Sequence, residues 1–269
     1  MQAQEPKSTK MQHMMRTSAG WLKLRDDVDV ATMFAILYRG VYDSLHISPD
    51  DIVLDIGANV GIFSVYAARS ACKVIAVEPD KNNFGLLIQN VRVNKLRNVC
   101  PVCCALSDFN GTGFLSGKNT NIHLVTSQNR SPVVVKTVDR LLEELKVPFV
   151  DVVKVDAEGE ESKILGNSAF LKHTREIVIE THGIKETATC ERMLADYGFR
   201  VTRISTIRKF IQHLRKSRNL GEYLVANVRT GFNDFGTYQR FALSRLGVGS
   251  LSATISQDLG LIYGRRNCE

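Results

Sequence analysis

No uninterrupted apolar run in the chain reaches the roughly 18 residues that a membrane-crossing helix needs. The first 20 residues, MQAQEPKSTKMQHMMRTSAG, also lack the apolar segment of a signal peptide. These absences predict a soluble, cytoplasmic protein with a mobile tail over residues 1–20. Cysteine is sparse: the 6 residues are Cys72, Cys100, Cys103, Cys104, Cys190 and Cys268. The cluster CPVCC sits in an apolar, strand-like run with no second ligand pair at metal spacing, so buried free thiols are expected rather than a metal or disulfide framework. No internal repeat is visible. Acidic residues are scarce at one end only: residues 200–269 hold 12 Lys+Arg against 4 Asp+Glu, which accounts for the net charge of +7. This asymmetry concerns partners rather than fold.

What is present is a core-forming chain of 269 residues, 44% of them hydrophobic. DIVLDIG, KVIAVEPD, NVCPVCCALSD, VDVVKVDAEGEE, REIVIETH, FRVTRI and EYLVANV read as strands. Helical patterns such as KNNFGLLIQNVRVNKL, with Phe84, Leu87, Ile88 and Val91 on one face, stand between them. This alternation predicts an α/β fold: a doubly wound, mostly parallel sheet with helices on both faces. Between FRVTRI and EYLVANV there is no clear apolar crossover, so the last strand, EYLVANV, is expected to insert antiparallel. Residues 110–138, rich in Gly, Asn, Ser and Thr, read as an inserted hairpin.

The stretch VLDIGANVGIFSVYAA runs from strand through turn to helix. Gly57 and Gly61 bracket the turn, where a bare backbone lets a ligand approach the helix N-terminus. The spacing is D-x-G-x-x-x-G, with Asn59 where the G-x-G-x-x-G dinucleotide fingerprint has its middle Gly, so a nicotinamide cofactor is disfavoured. Glu78 ends the second strand, where a carboxylate accepts hydrogen bonds from both hydroxyls of an unmodified ribose. A ribose without a pyrophosphate describes S-adenosylmethionine. Ser107 and Asp108 close the third strand beside the expected adenine position, and Asp55, Glu78, Asp108 and Asp156 converge on one sheet edge. Taken singly, Asp55 reads equally well as a helix cap and the glycine turn as tight packing; the ordered row of acids favours the ligand site.

The motifs DIGANVG, VEPD and KVDAEGEE, in this order, resemble the FkbM family of methyltransferases, a branch of the class I S-adenosylmethionine-dependent fold. The resemblance runs from about residue 26 to 204. It implies a seven-stranded sheet with one antiparallel strand, a cofactor pocket lined by Asp55, Gly57, Asn59, Gly61 and Glu78, and Asp108 near the adenine. It further implies methyl transfer to a hydroxyl of a small-molecule or glycan acceptor. The expected organisation is a methyltransferase domain over residues 21–230 and a basic C-terminal extension over 231–269.

The chemical end falls in VKVDAEGEE. Alternation puts Lys154 and Asp156 on one strand face, and Glu176, Glu180 and His182 on one face of the neighbouring strand. A Lys in an apolar strand needs an acid, and Glu180 is the expected partner. Methyl transfer is an in-line displacement, so positioning dominates, and a base that takes the hydroxyl proton adds to it. Glu158, Asp156 and His182 are the candidates. The competing readings are that Asp156 binds the cofactor's amino group, Glu158 caps the helix near Glu160, and His182 is an ordinary surface residue. No compact motif supports a metal. TIRKFIQHLRKSRNL reads as a basic amphipathic helix, so RNA or an anionic membrane surface is a further candidate partner of residues 205–269, against a helix docked through its apolar stripe.

Overall fold

The computed structural model describes residues 13–38, 40–118, 121–125, 132–166, 168–204 and 259–266. The chain opens with a hairpin, β1 (His13–Thr17) and β2 (Gly20–Leu24), and a helix, α1 (Asp27–Leu37). Then follow β3 (Ile52–Ile56), α2 (Ile62–Ala67), β4 (Lys73–Val77), α3 (Lys81–Val93) and β5 (Val99–Val102). β6 (Ala105–Leu106), β7 (Gly111–Lys118), β8 (Asn121–Val125) and β9 (Pro132–Lys136) form a separate small sheet in the order β6-β9-β7-β8. The chain continues through α4 (Val138–Glu144), β10 (Val152–Val155), α5 (Glu161–Leu165), a 3-10 turn (Ala169–Lys172), β11 (Glu176–His182), α6 (Ile184–Asp196), β12 (Arg200–Arg203) and β13 (Leu259–Arg265).

The main sheet has seven strands in the order β12-β13-β11-β10-β3-β4-β5. β3, β4, β5, β10 and β11 run parallel, and β13 pairs antiparallel with both β11 and β12. This is the doubly wound class I architecture, with one antiparallel strand. Alternation explains why its central strands read as continuous apolar runs. Val53, Val74, Val152 and Val178 enter one core with Met33, Phe34 and Phe63 of α1 and α2. Leu54, Ile75, Val153 and Ile177 enter another with Leu141, Ile164 and Leu194 of α4, α5 and α6. A strand covered on both faces has no solvent side to mark with polar residues.

Several expectations need correction. The antiparallel strand is Leu259–Arg265, inside the segment expected as an extension, so the sheet extends past the expected boundary at 230. EYLVANV and the basic TIRKFIQHLRKSRNL stretch lie outside the described residues. Of the expected tail, residues 13–20 belong instead to the β1–β2 hairpin, where Met15, Leu22 and Leu24 are buried, and residues 1–12 lie outside the described residues. NVCPVCCALSD is two strands in two sheets, and Pro101 occupies β5 at the sheet's edge, the place where a missing N–H is tolerated. The described cysteines are free, but only Cys104 and Cys190 are buried. On α3 the buried residues include Asn83, Asn90 and Leu86 beside Leu87 and Val91, while Phe84 and Ile88 are half-buried. Among the described residues no helix is long and apolar enough to cross a membrane.

Winding reverses between β3 and β10, which are hydrogen-bonded neighbours but belong to opposite directions of sheet growth. In such sheets the crevice at this reversal, outside the carboxyl ends of the strands, is where ligands bind.

Candidate active site

The turn after β3 is built by backbone conformations that side chains rarely adopt. Gly57 (φ 71°), Asn59 (φ 51°) and Gly61 (φ 85°) are all left-handed. The Gly57 and Ala58 N–H groups donate to the Val77 carbonyl at 3.0 and 2.9 Å, which ties the turn to β4. A Cβ on Gly57 would stand 1.8 Å from the Asp156 carbonyl oxygen, so only glycine lets the turn pass β10.

Glu78 follows β4 and is 4% exposed. Its Oε2 accepts from the Asn59 N–H at 2.8 Å, and its Oε1 accepts from the Asp80 N–H at 2.9 Å and from Asn83 Nδ2 at 3.2 Å. Burial pushes its pKa up to about 7 in spite of these donors. Arg25 reaches the same corner, donating to Asn83 Oδ1 at 2.6 Å and Asn59 Oδ1 at 3.5 Å while paired with buried Asp29. Ser107, expected at the adenine position, is buried and donates to Glu160 Oε2 at 2.6 Å; Asp108 beside it is exposed.

Asp55, expected at the pocket wall, lies beneath the turn and is fully buried. It accepts from Ser64 Oγ at 2.5 Å, and its Oδ1 is 3.3 Å from Lys154 Nζ. It does not cap α2, whose N-terminus carries no side-chain cap. Lys154 also lies 3.7 Å from Asp156 Oδ2, and donates to the Gly57 carbonyl at 2.7 Å and the Ile56 carbonyl at 3.3 Å. The expected partner Glu180 adds a longer-range charge and accepts from Tyr42 Oη at 3.2 Å. Burial opposes the Lys154 ammonium, but Asp55 and Asp156 more than offset it and raise its pKa.

At the ends of β10 and β11 the structure brings Asp156, Glu158 and His182 together, with one ligand atom of each within 4.8 Å of the others. No compact sequence motif marks such a set, because Asp156 and Glu158 meet His182 only through the pairing of β10 with β11. Glu158 sits in a left-handed conformation (φ 51°), and its Oε2 is 3.2 Å from His182 Nε2. It is not a helix cap. Glu161, fully buried at the start of α5, holds the loop by accepting from the Ala157 and Gly159 N–H groups. Its Oε1 also accepts from His182 Nδ1 at 3.0 Å. Burial works against the His182 imidazolium, but Glu161, Glu158 and Asp156 outweigh it and push the pKa up to about 9. Burial, opposed by His182 and reinforced by Asp156, Glu161 and Glu180, pushes Glu158 up to about 7.

Glu161, Glu160, Tyr42 and Arg25 were not singled out from the sequence. Only the two glutamates had a signal, namely carboxylates within one helical turn of a glycine loop.

Comparison with known proteins gives the family of the chain. Residues 55–201 match the family described as "Methyltransferase FkbM domain". The chain is 28% identical over 153 residues to hexuronic acid methyltransferase AglP of Haloferax volcanii, which covers 55% of this chain and 62% of that protein. It is 26% identical over 205 residues to methyltransferase sdnD of Sordaria araneosa, covering 60% of this chain and 78% of that one. Among solved structures, the methyltransferase FkbM of Methylobacillus flagellatus superposes with a TM-score of 0.44 at 17% identity, over 62% of this chain and 44% of that chain.

Proposed function

Since the chain belongs to the FkbM methyltransferase family, we propose that it transfers the methyl group of S-adenosylmethionine to a hydroxyl of a small-molecule or glycan acceptor. The observation that carries this reading is the placement of one buried carboxylate, Glu78, and one mixed cluster, Asp156–Glu158–His182, around the reversal point of the sheet.

The residues fit an adenosyl group. A carboxylate offers roughly four acceptor positions, and three protein donors reach Glu78. Acceptor capacity is therefore left over for one ribose hydroxyl on a buried group that gains from a further donor. In this reading Glu78 holds the ribose, and the Gly57–Gly61 turn offers bare backbone and Asn59 beside it. Ser107 and Asp108 border the adenine, and Asp156 takes the amino group of the methionine part. Asp55 acts from below, fixing Lys154 and through it the Gly57 carbonyl. When bound, the cofactor supplies an electrophilic methyl on a sulfonium. The cluster's task is to orient the acceptor oxygen in line with that methyl and to draw away the hydroxyl's proton. Support for an oxygen acceptor on a sugar comes from the relative named for hexuronic acid.

Calorimetry on the full chain with S-adenosylmethionine and its demethylated product is the first test, and binding at submillimolar concentration is expected. Labelled methyl transfer to uronic-acid glycans and to hydroxylated small molecules follows. The product should be an alkali-stable ether. Absence of cofactor binding, or an alkali-labile methyl ester as the product, would overturn the proposal.

A further inference from the structure

We infer that Asp156, Glu158 and His182 form a binding site for one divalent first-row cation of the Mn2+ class. One spacing matches that of adjacent ligands in a coordination shell, and the third ligand atom lies close by. Bonds of about 2.0–2.2 Å put adjacent ligand atoms about 3 Å apart and opposed ones about 4.2 Å apart. His182 Nε2 and Glu158 Oε2 are 3.2 Å apart, and all three ligand atoms lie within 4.8 Å of one another. The donor set matters equally, because two carboxylates with one imidazole suit an ion that accepts both oxygen and nitrogen.

An independent feature is the way the imidazole is held. Glu161 is fully buried and is itself fixed by the Ala157 and Gly159 N–H groups. It accepts a hydrogen bond from His182 Nδ1, which leaves Nε2 as the atom turned toward Glu158 and Asp156. A carboxylate behind a histidine is the arrangement that fixes tautomer and ring direction in metal sites. A structural ion pair needs only one carboxylate on the imidazole, whereas here a second, buried one orients it.

Charge points the same way. Asp55, Asp156, Glu158, Glu161 and Glu180 crowd one sheet edge, and Lys154 is the lysine set against them. Asp156, Glu158 and His182 keep side-chain exposures of 28%, 22% and 23%, so an ion can enter from solvent. Three protein ligands leave coordination positions open for water or for an oxygen of the acceptor. That last role rests on the proposed methyl transfer; the binding of the ion does not.

The test is titration of the full chain with Mn2+ alone, with no cofactor, following free Mn2+ by electron paramagnetic resonance. One ion per chain is expected at submillimolar concentration. Glu158→Gln and His182→Asn should each weaken binding at least tenfold, and Glu161→Gln by about 10–100-fold as an orienting partner. Circular dichroism and thermal melting establish that each variant is folded; His182→Asn and Glu158→Gln, on half-exposed side chains, provide two separate routes if one fails. No binding at millimolar Mn2+, or binding undiminished in both folded variants, overturns the site. A chain that takes Mn2+ but no adenosyl ligand would sink the methyl-transfer reading and leave this one standing, and the reverse result would do the opposite.

Discussion

Replacing Lys154 by Met is the most severe test of how the sheet holds its acids. Lys154 is 3% exposed, and Asp55 beneath the turn is 0% exposed. The ammonium lies 3.3 Å from Asp55 and 3.7 Å from Asp156, and it donates to two carbonyls of the β3 turn. Met fills the space, so cavity formation is a minor part of the change. What remains is a carboxylate in the core with only Ser64 Oγ as a hydrogen-bond donor. Removing one member of such a pair costs about 3–5 kcal/mol, against a net domain stability of about 5–15 kcal/mol. With a urea slope of about 1–3 kcal/mol per molar, the unfolding midpoint should fall by about 2 M. Neutralising both ends, in Asp55→Asn with Lys154→Met, should recover more than half of the loss, because the uncompensated charge is gone. A single variant that loses less than about 1 kcal/mol, or a double variant no better than the single, would refute the argument.

Glu78→Gln should flatten part of the pH dependence of stability. Its carboxyl titrates near 4.5 when unfolded and at about 7 when folded, so its favourable contribution is complete below pH 4.5 and disappears as pH rises through 7. The difference is about 3 kcal/mol. Denaturation of both proteins from pH 4.5 to 8 should show the wild type losing stability relative to the variant as pH rises; a pH-independent difference contradicts the placement. Asn90→Ala should release the N-terminal hairpin, since Asn90 bonds the Lys23 N–H and carbonyl and the Val60 carbonyl from a fully buried position. A loss of about 1–3 kcal/mol is expected, with faster amide hydrogen exchange confined at first to residues 13–24 and the turn before α2. Uniform exchange across the sheet would show that the hairpin is not a separate unit.

The central strands were legible because burial on both faces leaves a continuous apolar run, as in IVLDI and REIVIETH. The turn was legible because its glycines occupy conformations other residues avoid. The site was half legible. Glu78 and the trio Asp156, Glu158 and His182 stand at strand ends, and a strand end is a sequence position. The partners were not: whether Lys154 meets Asp55 or Glu180 depends on register across two strand pairs, and alternation gives only the face. Glu161 was hidden for a similar reason, as a buried acid in a helix start reads like a solvated one. The β1–β2 hairpin escaped because each of its strands has only 5 residues and it anchors through Asn90 and Asn94, whose hydrogen bonds leave no pattern in the letters.

The insertion of β13 between β11 and β12 has a consequence for how the protein comes into being. His182 faces Leu259 across that pairing, so the strand carrying the imidazole lacks one of its two neighbours until the ribosome has passed residue 265. The glycine turn and Glu78 can settle early in synthesis, from contiguous chain. The histidine edge waits for β13, and a nascent chain halted at residue 250 would carry a finished glycine turn beside an unfinished rim.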